Sequence, residues 1–159
     1  MHIDISKVKS LIQPTDKIIM AKKDILPLRF PVEQKEVNNR RGKPAGLWYA
    51  IGTAWIDWVE SEMPEWMGDK FYKLETTSKV LQIYDANKFE TFSKTYAYDH
   101  ATFSDNIDWI KVSTEYSGIE IAPYRPEYRM NYMWYYGWDI ASGCVWKKDA
   151  ISKIEKIIV

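Results

Sequence analysis

The stretch KPAGLWYAIGTAWIDWVESEMPEW, residues 43–66, changes its hydrophobic period midway, and this restricts the fold more than any other feature of the chain. Residues 46–51 carry no charge, follow the turn signal Arg41-Gly42-Lys43-Pro44 and stop at Gly52, which predicts a short buried strand. On a pleat, Leu47, Tyr49 and Ile51 point one way while Trp48 and Ala50 point the other. Thr53 suits the N-cap of a following helix, Asp57 lies near its positive end, and Pro64 stops it. Trp55, Trp58, Val59 and Met63 recur at helical spacing and predict one apolar face. A strand, a glycine turn and a helix bring Trp48 or Tyr49 near Trp55 at one mouth. Aromatic stripes mostly fill interiors. Neighbouring rings on a strand face opposite sides, however, so Trp48 and Tyr49 are both buried only if both faces of the sheet are covered. The alternative is that one of them lines a cleft.

The rest of the chain interleaves short elements. Ser6 is a candidate cap for a helix carrying Val8, Leu11 and Ile12 and ended by Pro14. Residues 17–20 and 25–30 read as extended pieces. Residues 32–42, VEQKEVNNRRG, lack a period and read as a loop, either a cover for a pocket or an ordinary exposed connection. Strands are expected at 70–75 and 80–84, followed by a helix capped by Asp85 with Phe89, Phe92 and Tyr96 on one face. Asp105 or Asn106 would cap another helix running to Tyr116, with Ile107 and Ile110 inward, Trp109 a further inward candidate and Gly118 turning its end, before a strand at 119–121. The aromatic run RPEYRMNYMWYYGW, residues 125–138, reads as a helix from Pro126 to Gly137. A strand at 143–146 precedes a tail of mixed period. There is no βαβ rhythm and no G-x-G-x-x-G loop, which disfavours a doubly wound dinucleotide fold or a P-loop NTPase. The expectation is one α+β domain over 1–159, a twisted, mostly antiparallel sheet with three or four helices.

Composition narrows the function classes. With 22 basic and 22 acidic side chains the formal net charge is zero, which argues against non-specific binding along a nucleic-acid backbone. Lys35, Arg40, Arg41 and Lys43 are mixed with Glu33 and Glu36 and read as a solvated loop. Eleven tyrosines and eight tryptophans supply rings with a polar handle, suited to half-wet surfaces that stack on flat ligands. Cys144 is the lone cysteine, so no intramolecular disulfide forms, and a reducing, cytoplasmic compartment is expected. No signal peptide or spanning segment is read, so no membrane partner is expected. His2 and His100 are too few and too scattered for a zinc site with Cys144, so no metal is expected, and a triad would have only His100 to use.

Gly46-Leu47-Trp48-Tyr49-Ala50 resembles the glycine–aliphatic–aromatic–aromatic–alanine strand of the ADP-ribosyltransferase superfamily. The later extended segment KFYKLETTSKVLQIYD and the late SGCVWKKDAISKI carry the resemblance across most of residues 17–155. It implies an ADP-ribosyltransferase-like fold, NAD as substrate, and transfer of ADP-ribose to a macromolecular target, with protein favoured over nucleic acid. It also implies that Trp48 stacks on nicotinamide with Tyr49 supporting the sheet beneath, Trp55 nearby, and residues 132–138 walling the opposite side. The family places a His or Arg on an early strand. Here Lys22 and Lys23 stand there instead, with Arg29 nearest, so Lys22 or Arg29 would hold phosphate or ribose. The family's late strand usually begins with a carboxylate, whereas this one begins Ser142-Gly143-Cys144. The chemistry needs a carboxylate to hold a ribose hydroxyl and to stabilise positive charge developing on the sugar. Glu120 and Asp139 are the candidates. Glu120 lies between two isoleucines, so it faces away from their side of the sheet and is either solvated, paired with Arg125, or functional. Asp139 is either functional or a turn or cap residue, the commonest use of Asp after Gly-Trp.

Two other readings stay open. The same rings suit a non-catalytic binding module gripping a nucleobase, a sugar or a partner peptide, with Lys43, Arg125 and Arg129 as polar contacts. A two-carboxylate hydrolase would draw on Asp57, Glu60, Glu62 or Glu65 beside the tryptophans, although these do not all leave one helical face. The oligomeric state is open.

Overall fold

One curled seven-stranded sheet organises the chain. Its strands are β1 (Lys17–Ala21), β2 (Leu47–Ile51), β3 (Lys70–Thr76), β4 (Val80–Ile83), β5 (Gly118–Ile121), β6 (Ser142–Val145) and β7 (Ile151–Lys156). They lie in the order β4-β5-β6-β2-β1-β3-β7. The computed structural model describes residues 3–98 and 106–159. Strands β4 and β5 are parallel, joined by a helical crossover as parallel neighbours require, and every other neighbouring pair is antiparallel. Among the described residues there are five α-helices: α1 (Ile5–Ser10), α2 (Glu36–Arg41), α3 (Ala54–Glu62), α4 (Ala86–Thr95) and α5 (Trp109–Glu115). The α+β class and the mostly antiparallel sheet match expectation, and the helix count exceeds it.

Pairing register fixes what each face of the sheet carries. Tyr49 and Glu120 both sit opposite Gly143, while Trp48 and Ile119 both sit opposite Cys144. Because side chains alternate along a strand, Tyr49 and Glu120 leave one face, and Trp48, Cys144 and Ile119 leave the other. On the Trp48 face, α4 and α5 cover the β4-β5-β6 end with a large aromatic core that includes Phe89, Phe92, Trp109, Trp134 and Trp146. At the β1-β3 end of the same face, α1 and α3 cover a smaller aliphatic cluster of Val8, Ile12, Ile18, Ile56 and Phe71. On the Tyr49 face, Ile19, Tyr72, Leu74 and Val145 form a third cluster with Ile25 and Phe30 packed against it. Residues 25–30, expected as an extended piece, are therefore a covering segment outside the sheet.

Several local expectations are corrected by tertiary packing. Residues 36–41 form α2 where a loop was expected. Lys35 N–H donates to Asn38 Oδ1 at 2.9 Å at its start, and Gly42, at φ 79°, ends it in the left-handed region. This segment is not a loose cover. Gln34 exchanges two hydrogen bonds with the backbone of Ala45, at 2.6 and 2.8 Å, and buried Asn39 accepts from the Trp109 N–H at 2.6 Å. That N–H also reaches the Ile107 carbonyl at 3.1 Å, so Asn39→Ala is expected to remove the shorter of two bonds and cost about 0.5–1.5 kcal/mol, read by denaturant unfolding.

At the N-terminus, Asp4 and not Ser6 caps α1. Thr53 does not cap α3 through its side chain, since its hydroxyl donates to Asp57 Oδ2 at 2.8 Å. Helix α5 is capped by Asp108, which accepts from Lys111 N–H at 3.0 Å, so it begins later than expected and leaves Ile110 exposed. The expected cap Asp105 and the histidines His2 and His100 lie outside the described residues. Gly118 begins β5 and does not turn a helix.

Residues 125–138 form two single 3-10 turns, Pro126–Tyr128 and Met133–Tyr135, in place of one helix. The aromatic core explains this. Phe89 is stacked by Tyr128 at 4.4 Å and Trp134 at 5.1 Å, and met edge-on by Tyr132 and Tyr135. A single helix face does not surround one ring from that many sides. The tail is settled as strand β7, paired with β3.

Candidate functional site

Between the aromatic and aliphatic clusters, the Trp48 face of the sheet is left uncovered, and a cavity of ≈ 430 Å³ opens there. This falls within the ~300–1,000 Å³ usual for small-molecule sites. Its floor is the sheet itself, with Ile18 and Met20 from β1 and Ala50 from β2. One wall is Trp48, met edge-on by Trp138 at 4.9 Å between centroids and 68° between planes. The facing wall comes from α3, where Trp55 and Trp58 stack at 5.0 Å and 8°. Trp66 leans on both from the 3-10 turn Pro64–Trp66, at 6.3 and 6.0 Å, and is 48% exposed. The sequence places these rings there directly. Trp55 and Trp58 stand three apart on a helix, so they share a side, while Ile56 and Val59 take the buried side.

The polar groups are few and sit at the mouth. Lys43 follows the left-handed Gly42, whose carbonyl accepts from the Trp138 indole N–H at 3.5 Å. A Cβ on Gly42 would come within 2.7 Å of the Trp134 carbonyl oxygen, so glycine is required for this approach as well as for the turn. Lys43 Nζ then lies 5.5 Å from the centroid of Trp48, with its stem passing Gly137. Desolvation by this packing lowers the Lys43 pKa, against the opposing pull of the Asp139 charge. Asp139 itself pairs with Arg129, Oδ1 to Nη2 3.2 Å, and Arg129 is held over the Tyr136 ring at 5.0 Å. Ser142 completes the polar lining.

The sheet divides the residues singled out from sequence. Trp48, Trp55 and Asp139 meet at the cavity. Tyr49 contributes backbone to its floor, but its ring lies buried on the other face. There it crosses Gly143, and its hydroxyl donates to Glu120 Oε1 at 2.9 Å. Burial and the Glu120 charge hold the Tyr49 phenol well above its usual pKa. Glu120 is also paired with Lys17, at 3.0 Å, and not with Arg125, which bonds the Tyr84 carbonyl. Arg29 lies on the Tyr49 side as well, at a second hollow formed by residues 24–30 over Gly46 and Leu47. Lys22 is exposed and donates to the carbonyl of Glu65, one residue from Trp66.

Of the expected wall at 132–138, Gly137 and Trp138 reach the cavity, while Trp134 and Tyr135 belong to the core. Trp58 and Trp66 join the site without having been assigned to it. Their spacing from Trp55, three along the helix and then just beyond Pro64, was the available signal. Asp57 and Glu60 are both taken up by Lys9 of α1. Cys144 is fully buried, which pushes its thiol pKa up and leaves it unreactive.

Among the described residues, no helix is long and apolar enough to cross a membrane, and no group of three His, Cys, Asp or Glu side chains is placed to hold a metal. Comparison with family models, curated proteins and solved structures finds no match to this chain.

Proposed function

We propose that the chain is a binding module whose tryptophan-walled cavity takes a planar ring, a nucleobase-like or nicotinamide-like heteroaromatic group being the class that fits best. One observation carries this reading. Four of the eight tryptophans, Trp48, Trp55, Trp58 and Trp66, stay partly open around one hollow, and buried Trp138 backs Trp48 at its edge. The other three, Trp109, Trp134 and Trp146, are, like Trp138, fully buried in the core. Rings needed for stability alone belong in that second group. Rings kept half-open in pairs offer stacking faces, each worth about 1–3 kcal/mol to a bound base.

Titration with NAD, nicotinamide mononucleotide, adenosine and a short oligosaccharide, followed by calorimetry, tests the class. The ring-bearing ligands are expected to bind and the sugar not to. Trp48→Ala is expected to weaken binding at least tenfold without loss of the fold. Tight binding of the oligosaccharide alone, or no effect of Trp48→Ala, would overturn the proposal.

A second reading, transfer of ADP-ribose from NAD to a macromolecular target by an ADP-ribosyltransferase-like domain, is favoured by Asp139, the one carboxylate among the described residues that line the cavity. In that reaction the bond from ribose C1′ to the nicotinamide nitrogen breaks, nicotinamide leaves with the bonding pair, and a nucleophile of the target bonds to C1′ and gives up a proton. Asp139 would hold a ribose hydroxyl and oppose the charge on the sugar. Glu120 has the sheet between it and Trp48 and takes no part. Release of nicotinamide from NAD that disappears in Asp139→Asn supports transfer. Binding without release leaves the module.

A further inference from the structure

The charge distribution at the cavity mouth narrows the ligand beyond a flat ring. Among the described residues, Lys43 and Asp139 are the charged ones lining the cavity. Asp139 is already matched by Arg129 at 3.2 Å. Lys43, by contrast, makes no salt bridge or hydrogen bond with any described residue; it lies 5.5 Å from the Trp48 ring and feels the Asp139 charge without pairing with it. With Arg129 counted beside Asp139, the mouth therefore carries a net single positive charge, and Lys43 presents it at the edge of the stacking wall. The surroundings keep it there. The Gly42 turn is locked against Trp134 and Trp138, and the bare backbone of Gly137 leaves room for the Lys43 stem. An ammonium placed in this way gains by meeting an anion, because a charge-assisted hydrogen bond is about twice as strong as a neutral one.

We infer that Lys43 makes the cavity selective for planar aromatic ligands that bear an anionic group, a carboxylate or a phosphate, on the edge of the ring system. This rests on the ring-binding reading above and goes further by naming the charge. The aromatic part lies against Trp48 and the Trp55–Trp58 stack, and the anion reaches out to Lys43 Nζ at the mouth. A ligand bearing a cation in that place meets Lys43 directly and is rejected.

The test uses one ring with four edges: 2-naphthoate, 2-naphthyl phosphate, the neutral 2-naphthamide, and 2-naphthylmethylamine, each titrated by calorimetry into wild type, Lys43→Met and Lys43→Arg. Both anions are expected to bind wild type about tenfold more tightly than the amide, and the amine most weakly. Lys43→Met keeps the stem and is expected to remove the preference, so that anions and amide bind the variant about equally, whereas Lys43→Arg keeps it. The ratio of phosphate to carboxylate affinity identifies which anion the mouth is built for. Equal binding of anion and amide to wild type, or a preference that survives Lys43→Met, overturns this inference and leaves ring binding intact. Failure of all four probes to bind overturns both.

Discussion

Gly143→Ala is expected to destabilise the protein by about 3–5 kcal/mol, roughly 10 °C in Tm for a chain of this size. A Cβ on Gly143 would stand 2.9 Å from the carbonyl oxygen of Ile119 and closer still to Cζ and Oη of Tyr49. Tyr49 is buried and has no vacant direction into which to move. Its ring would have to leave Glu120, adding an unpaired buried hydroxyl to the overpacking. Combining Gly143→Ala with Tyr49→Leu removes the ring that is struck, so the double variant should lose less than the sum of the two single losses. Chemical denaturation of the three variants measures this directly, and a Gly143→Ala protein within 1 kcal/mol of wild type would contradict the packing described here.

Lys17→Met carries the second large effect, about 3 kcal/mol. Glu120 sits in a sheet with its side chain 9% exposed, and its neutralising partner is Lys17, itself 20% exposed. Breaking a buried pair from one side leaves an uncompensated charge, costing about 3–5 kcal/mol. The partial exposure of Lys17 places the loss at the lower end. The penalty belongs to the stranded carboxylate and not to the missing amine. Glu120→Gln in the Lys17→Met background should therefore recover most of it, giving a coupling of about 2 kcal/mol in a double-mutant cycle. Additive losses would show that the pair is decorative. Neither substitution touches the Trp48 face, so ring binding should persist in every variant that folds.

The contrast between those two faces also shows how far the sequence could be read. Strand β2, its glycine turn and helix α3 were legible because charge-free alternation, Gly52 and the Trp55/Trp58 spacing all act within a few residues. The opposite directions of Trp48 and Tyr49 followed from the pleat alone. Which of the two faced the cavity did not follow, since that depends on α3 and Trp138 arriving on one side and residues 24–32 on the other. Glu120 was correctly placed away from its isoleucine neighbours, but its partners Tyr49 and Lys17 lie 71 residues or more away in sequence and were beyond local reasoning. Helix α2 was missed because its stability comes from long-range bonds by Gln34 and Asn39, which leave no apolar period. The 125–138 run misled in the opposite sense. Its Pro126 and Gly137 mark helix ends, yet the demand of Phe89 for rings on several sides broke it into separate turns.

The indole N–H resonances of ¹⁵N-labelled protein, followed while 2-naphthoate is added, test the central claim most directly. Eight are present in the chain. The five of Trp48, Trp55, Trp58, Trp66 and Trp138 should shift together along one binding curve, and those of Trp109, Trp134 and Trp146 should stay in place. Shifts confined to Trp109, Trp134 and Trp146, or shifts among residues 24–30 and Leu47 on the opposite face with the five unmoved, would contradict the account.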